Sequence, residues 1–145
     1  MSGIKKINLV VLFGCLYIFD RLIKLWILKT DARLGSSVFF MQLSRNTTGA
    51  FNLPLSKWWL VGLGLVGIFI LIVIGYKLYN KQNYQTLVGV IFMLTGGLSN
   101  VWDRLMGGVI DIFYLPIGLS FNLSDVYLIV GLGVFIYSNL NKKTI

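Results

Sequence analysis

The sequence predicts an all-α membrane protein with four transmembrane helices, both termini cytoplasmic, and a small extracytoplasmic β element between helices 1 and 2. Three observations carry this expectation. Hydrophobic residues make up 57% of the chain and charged residues 12%, whereas a soluble domain averages about 45–50% apolar and about 25% charged residues. The apolar residues are gathered into long runs. Six of the lysines that flank those runs fall on one face. A length of 145 residues suits one compact bundle, a single domain over 1–145.

A helix that crosses the hydrocarbon core needs about 20 mostly apolar residues. The first run that qualifies covers about 7–28, "INLVVLFGCLYIFDRLIKLWIL", and the second about 58–76, "WWLVGLGLVGIFILIVIGY". The third covers about 84–105 and the fourth about 123–140. The opening "MSGIKK" with "LFGC" at 12–15 has a faint likeness to a lipoprotein leader. Phe13 is bulky where such sites prefer a small residue, and the apolar run continues well past Cys15, so it is read as a membrane span.

Lys5 and Lys6 precede the first run, Lys77 and Lys81 separate the second from the third, and Lys142 and Lys143 follow the fourth. An even number of spans puts all of these on one face, the cytoplasmic one under the positive-inside rule. The opposite face carries Lys29, Arg33, Arg45 and Lys57, but the segment between the third and fourth runs has neither Lys nor Arg. The net charge of +8 therefore belongs to helix ends rather than to a basic face, which argues against nucleic acid as a partner. Between about 29 and 57 lies an outer region too long for a turn. "SSVFFMQLS" is β-branched and aromatic-rich and reads as a strand. "RNTTGAFNLP" reads as a turn or second strand, punctuated by Gly49 and Pro54.

The chain has no histidine, no glutamate and a single cysteine, Cys15. That leaves no intrachain disulfide, removes Ser-His and Cys-His catalysis and weakens any zinc site. Acid chemistry must come from the five aspartates: Asp20, Asp31, Asp103, Asp111 and Asp125. At ~1.5 Å per residue, Asp20 lies roughly 20 Å and Asp103 roughly 28 Å above the inner surface. Asp111 and Asp125 flank the start of the fourth span, so every aspartate but Asp31 falls in one layer. Ionisable groups at that depth cost several kcal/mol unless paired or hydrated, which predicts a polar pocket within the bundle.

Asn100, Asp103, Arg104 and Gly107 follow i, i+3, i+4, i+7 spacing, one helical stripe. Gly96 and Gly97, a turn earlier, would admit a neighbouring helix. Asp20 and Lys24 are i, i+4 and read as a buried structural pair. Asp103 with Arg104 also reads as structural, and Asn46 fits either a turn or the pocket. Asp111 and Asp125 bracket "IFYLPIGLSFNLS", a loop with Pro116 and Gly118 that could fold back and bring them together. Two carboxylates held close share a proton: one acts as general base on water, the other as general acid. That is aspartic protease chemistry and needs neither metal nor cofactor. Aspartates at membrane depth also build proton relays and ion paths.

Four blocks of the chain resemble the lipoprotein signal peptidases, the signal peptidase II family. "DRLIK" at 20–24 is similar to D-Q-x-x-K, with Arg21 for Gln. "NTTGAF" at 46–51 is similar to N-x-G-x-A-F, with the glycine one place late at Gly49. "GGLSNVWDRLMGGVID" is similar to G-G-x-x-G-N-x-x-D-R-x-x-x-G-x-V-x-D, with Ser99 for Gly and one residue fewer around Gly107, Gly108 and Val109. "FNLSD" at 121–125 is similar to F-N-x-A-D, with Ser124 for Ala.

The resemblance implies a bacterial inner-membrane aspartic endopeptidase, multi-pass, with its active site near the outer leaflet. Such an enzyme removes the signal peptide of a diacylglyceryl-modified prolipoprotein before the lipidated cysteine. It implies Asp111 and Asp125 as the catalytic pair and Asn46, Gly49, Asn100, Arg104 and Asn122 as substrate-binding residues. Asp20, Lys24 and Asp103 become structural polar residues. The implied partners are the lipid-modified substrate, membrane lipids and globomycin-type inhibitors. The departures at Arg21, Thr48, Ser99 and Ser124 bear on substrate preference and inhibitor sensitivity. The other readings are an inactive relative that binds lipoprotein precursors and a small proton or ion carrier.

Overall fold

The structure, a computed structural model, describes residues 2–30, 34–35, 40–48, 55–115 and 118–141. The described residues form four long helices and four short strands. They are α1 (Ser2–Thr30), β1 (Leu34–Gly35), β2 (Phe40–Asn46), α2 (Lys57–Asn80), α3 (Tyr84–Leu105), β3 (Val109–Leu115), β4 (Leu119–Phe121) and α4 (Leu123–Leu140).

Helices α3 and α4 occupy the limits expected from their apolar runs, because each has a side-chain cap at its start. The Asn83 side chain accepts from Thr86 N at 3.4 Å, and Asn122 caps α4. Helix α1 begins before its apolar run, and α2 continues for about one more turn past Tyr76. By length and composition α2, α3 and α4 can each cross a membrane. Helix α1 is as long but carries Asp20, Arg21 and Lys24, and it falls outside that set.

Burial identifies the central helix. Helix α2 is apolar on all sides and buries only Val61, Ile68 and Gly75; Trp59, Phe69 and Ile72 are exposed, as suits contact with lipid. Helix α3 buries a face running from Thr86 through Val90, Met93, Gly96 and Asn100 to Asp103, and it packs against α1, α2 and α4. Its closest crossing is with α4. A Cβ on Gly89 would stand 2.7 Å from the Gly131 carbonyl oxygen, and one on Gly131 would stand 2.6 Å from that of Gly89. Gly96 meets the Ser124 carbonyl in the same seam, whereas Gly97 faces Ile68 on α2.

The strands form one antiparallel sheet in the order β1-β2-β3-β4. The sequence placed the β element between helices 1 and 2 and left the stretch before α4 as a loop. Strands β1 and β2 do lie between α1 and α2, but the stretch before α4 is not a loop: β3 and β4 come from the segment between α3 and α4, and β3 pairs with β2 across the molecule. Ser44 stands opposite Asp111 and Asn46 opposite Val109, with an irregularity in β2 between Met41 and Ser44. The reason lies in "VIDIFYL", whose β-branched and aromatic side chains favour a strand. Gly107 (φ 112°) and Gly108 (φ 138°) turn the chain out of α3 into it. Phe113 and Phe121 stack across β3 and β4 with ring centroids 5.3 Å apart. The sheet thus connects the C-terminus of α3 to the N-terminus of α4, where the polar residues collect.

Candidate active site

Asp125 is fixed by the start of its own helix. The Asn122 side chain accepts from Asp125 N at 3.1 Å, and Asp125 Oδ2 accepts from Asn122 N at 3.1 Å, a reciprocal capping box. Asp125 Oδ1 accepts from Asn100 Nδ2 on α3 at 2.8 Å. Both carboxylate oxygens are held, and the group faces a cavity.

Asp111 reaches the same cavity from β3. It is 2% exposed. Its Oδ1 accepts from Asn122 Nδ2 at 3.0 Å, and its Oδ2 accepts from Ser120 Oγ at 2.7 Å and Asn46 Nδ2 at 3.4 Å. Asn122 Nδ2 also donates to Asn100 Oδ1 at 3.2 Å, so the pair Asn100–Asn122 links the two aspartates. Both carboxylates line the one cavity and share Asn122 as a partner. Asn46 has both of the roles open to it: its Oδ1 accepts from Thr48 N at 3.0 Å, holding a bend, while its amide faces Asp111.

The cavity has a volume of about 510 Å³. Asn46, Arg104, Asp111, Ser120 and Asp125 supply its polar lining, and Val109, Leu119, Phe121, Val126, Leu128 and Ile129 its apolar wall. The Arg104 guanidinium lies within electrostatic reach of Asp111, Asp125 and Asp103. Its Nη1 donates to Asn100 O at 3.4 Å, and its buried Nε has no hydrogen-bond partner among the described residues.

Asp20, Lys24 and Asp103 form a second polar cluster behind this cavity. Lys24 Nζ lies 3.0 Å from Asp20 Oδ2 and 2.8 Å from Asp103 Oδ2. Arg21 joins both acids, at 2.8 Å to Asp20 and 2.7 Å to Asp103, with its guanidinium carbon 5.6 Å from the centre of the Tyr17 ring. Ser99 on α3 and Ser124 on α4 complete the set through hydrogen bonds to Asp20 and Lys24. Two acids face two bases, so the formal charge is balanced where Asp20, Lys24 and Asp103 are almost wholly buried.

The structure therefore splits the predicted stripe. Arg104 lines the cavity and Asn100 holds Asp125 beside it, while Asp103 turns to α1. Asp111, Asp125, Asn46, Asn100, Arg104 and Asn122 come together; Gly49 lies outside the described residues. Ser120 is not among the residues expected from the sequence; it lies on β4, and its hydroxyl reaches Asp111 on β3, nine positions earlier. Arg21, Ser99 and Ser124, three of the departures from the family pattern, meet around Asp20 as one group, which their separate positions in the sequence do not announce.

Residues 12–141 match the family described as "Signal peptidase (SPase) II". A lipoprotein signal peptidase of Streptococcus agalactiae is 28% identical over 136 residues, covering 88% of this chain and 88% of that protein. One of Burkholderia cenocepacia is 33% identical over 138 residues, covering 86% and 82%. A solved bacterial membrane enzyme has the same fold, with a TM-score of 0.74 at 21% identity over 94% of this chain and 89% of that one.

Proposed function

The chain belongs to the signal peptidase II family, and from that premise we propose that it is an intramembrane aspartic endopeptidase with Asp111 and Asp125 as its acid pair. Its substrate is a diacylglyceryl-modified prolipoprotein, cut on the N-terminal side of the lipidated cysteine. The observation that carries this reading is that Asp111 and Asp125, from a strand and a helix, line one cavity and share Asn122 as a partner.

The two acids share one proton across a water molecule. The ionised carboxylate takes a proton from that water as its oxygen attacks the scissile carbonyl carbon. The protonated carboxyl donates to the carbonyl oxygen, giving a tetrahedral intermediate. Collapse breaks the C–N bond, a proton passes to the leaving nitrogen, and the pair returns to its starting state. Arg104 donates to a peptide carbonyl and holds the backbone in register. Asn100, Asn122, Ser120 and Asn46 keep the carboxylates aimed. The apolar wall suits the acyl groups and the apolar residues beside the cut; globomycin-type inhibitors would compete for the same space.

All four helices cross the bacterial cytoplasmic membrane in this reading, with both termini inside, and residues 1–145 act as one domain. The pairing of Asp20, Arg21 and Lys24 inside the bundle supports a crossing for α1, since its charges are compensated. The sheet and the acid pair then sit near the outer leaflet, where a lipid-anchored substrate can arrive sideways.

The test is processing of a diacylglyceryl-modified prolipoprotein, read as a mobility shift. The parent protein should cleave it, and Asp111→Asn and Asp125→Asn should each abolish cleavage. A folded parent that leaves the substrate intact, or full cleavage by either variant, rules the reading out.

A further inference from the structure

We propose that Ser99 and Ser124, with Arg21 beside them, are positioning residues that aim the acid pair from behind. The proposal rests on Asp111 and Asp125 being the catalytic pair. Its basis is a regular adjacency. Ser99 precedes Asn100, Ser124 precedes Asp125, and Ile110 precedes Asp111. Each of these three is tied to the Asp20–Lys24–Asp103 cluster, while its successor faces or holds the cavity.

The bonds are specific. Ser124 Oγ donates to Asp20 Oδ1 at 2.7 Å and accepts from Lys24 Nζ at 3.0 Å. Ser99 Oγ donates to Asp20 Oδ2 and accepts from Lys24 Nζ at 3.1 Å and from Arg21 Nη2. Asp103 Oδ2 accepts from Lys24 at 2.8 Å and from Ile110 N at 3.4 Å. Both serine hydroxyls are thus fixed as donor and acceptor, and both residues are 0% exposed. One cluster therefore clamps α3, α4 and β3 against α1, each one residue short of a site group.

Helical geometry turns these tethers into aim. Successive residues of an α-helix are about 100° apart, so a helix held at Ser99 or Ser124 presents the next residue to the adjoining face. Releasing a tether lets the helix rotate or slide, and Asn100 or Asp125 moves with it. A misplacement of about 1 Å remote from the chemistry can cost a hundredfold in rate. Arg104 and part of the wall ride on the same helices, but contacts spread over a wall tolerate such a shift better than the reacting atoms do, so kcat falls more than KM.

The experiment compares Ser99→Ala, Ser124→Ala and Val90→Ala with the parent in steady-state cleavage and thermal unfolding of the full chain. Val90 is 0% exposed in the core away from the site and serves as a stability-matched control. The serine variants should lose roughly ten- to a hundredfold in kcat with KM within about twofold, and their pH–rate profiles should shift, while Val90→Ala keeps the parental kcat and profile. If a serine variant cannot be extracted folded, Arg21→Gln at the partly exposed edge of the cluster decides, with an expected several-fold loss of kcat. Parental kcat in the folded serine variants, or in Arg21→Gln where it decides, overturns the positioning role. So does a loss matched by Val90→Ala at equal stability. A parent that cleaves nothing overturns the functional reading first, and the positioning role with it.

Discussion

Asn122 and Asp125 exchange two hydrogen bonds of 3.1 Å each, side chain to backbone in both directions. The carboxylate that closes the first turn of α4 is thus the one that faces the cavity. Its orientation is set by helix initiation, not by a flexible rotamer.

Asp125→Asn should therefore separate cap from chemistry. Asparagine keeps an oxygen for Asn122 N but cannot cycle a proton. The expected change in stability is below about 1 kcal/mol, on the scale of a single cap. Cleavage should fall by about 10²–10⁴-fold, the usual contribution of a general acid–base group. Thermal unfolding and cleavage rate on one preparation check both numbers.

Asn122→Ala should damage both at once. It removes the cap, at about 1–2 kcal/mol, and the amide that bridges Asp111 to Asn100. Cleavage per folded molecule should drop by an order of magnitude or more. A parental rate per folded molecule would reduce Asn122 to a cap alone.

Lys24→Met should be among the most destabilising single changes. It leaves Asp20 and Asp103 with Arg21 alone, both acids almost fully buried. Breaking a buried ion pair from one side costs about 3–5 kcal/mol. The double change Asp20→Leu with Lys24→Met should recover part of that loss, because the remaining pair, Arg21 and Asp103, is neutral overall. Unfolding midpoints in detergent would show the order parent, double, single.

Glycine positions should divide sharply. Gly131→Ala puts a Cβ 2.6 Å from the Gly89 carbonyl oxygen and forces α3 and α4 apart, at about 1–3 kcal/mol. Gly62→Ala meets nothing within 4 Å and should gain up to about 1 kcal/mol from helix propensity. The same unfolding assay reads both.

The sequence made α3 and α4 legible because their boundary signals are local: an apolar run and an asparagine cap. Asp111 and Asp125 could be paired from position because both fall at the same end of the bundle. The strand β3 was hidden for the opposite reason. Its composition favours β structure, but its partner β2 lies on the far side of two helices, and nothing local announces that pairing. Ser120 was hidden with it, since its hydroxyl meets Asp111 only once β4 has folded back along β3. Likewise, helical spacing put Asp103 and Arg104 on one stripe, yet α1 supplies two bases to Asp103 and draws it away. Periodicity fixes a face; it does not say which neighbour will occupy it.

The pairing of β2 with β3 also constrains when the molecule becomes competent. Asn46 and Asp111 are 65 positions apart, so on the ribosome the earlier strand waits unmatched while two further helices are made and inserted. Both proposed acids, Asp111 and Asp125, follow β2, α2 and α3 in the chain. The cavity between the sheet and the helices is thus incomplete until α4 has docked against α3.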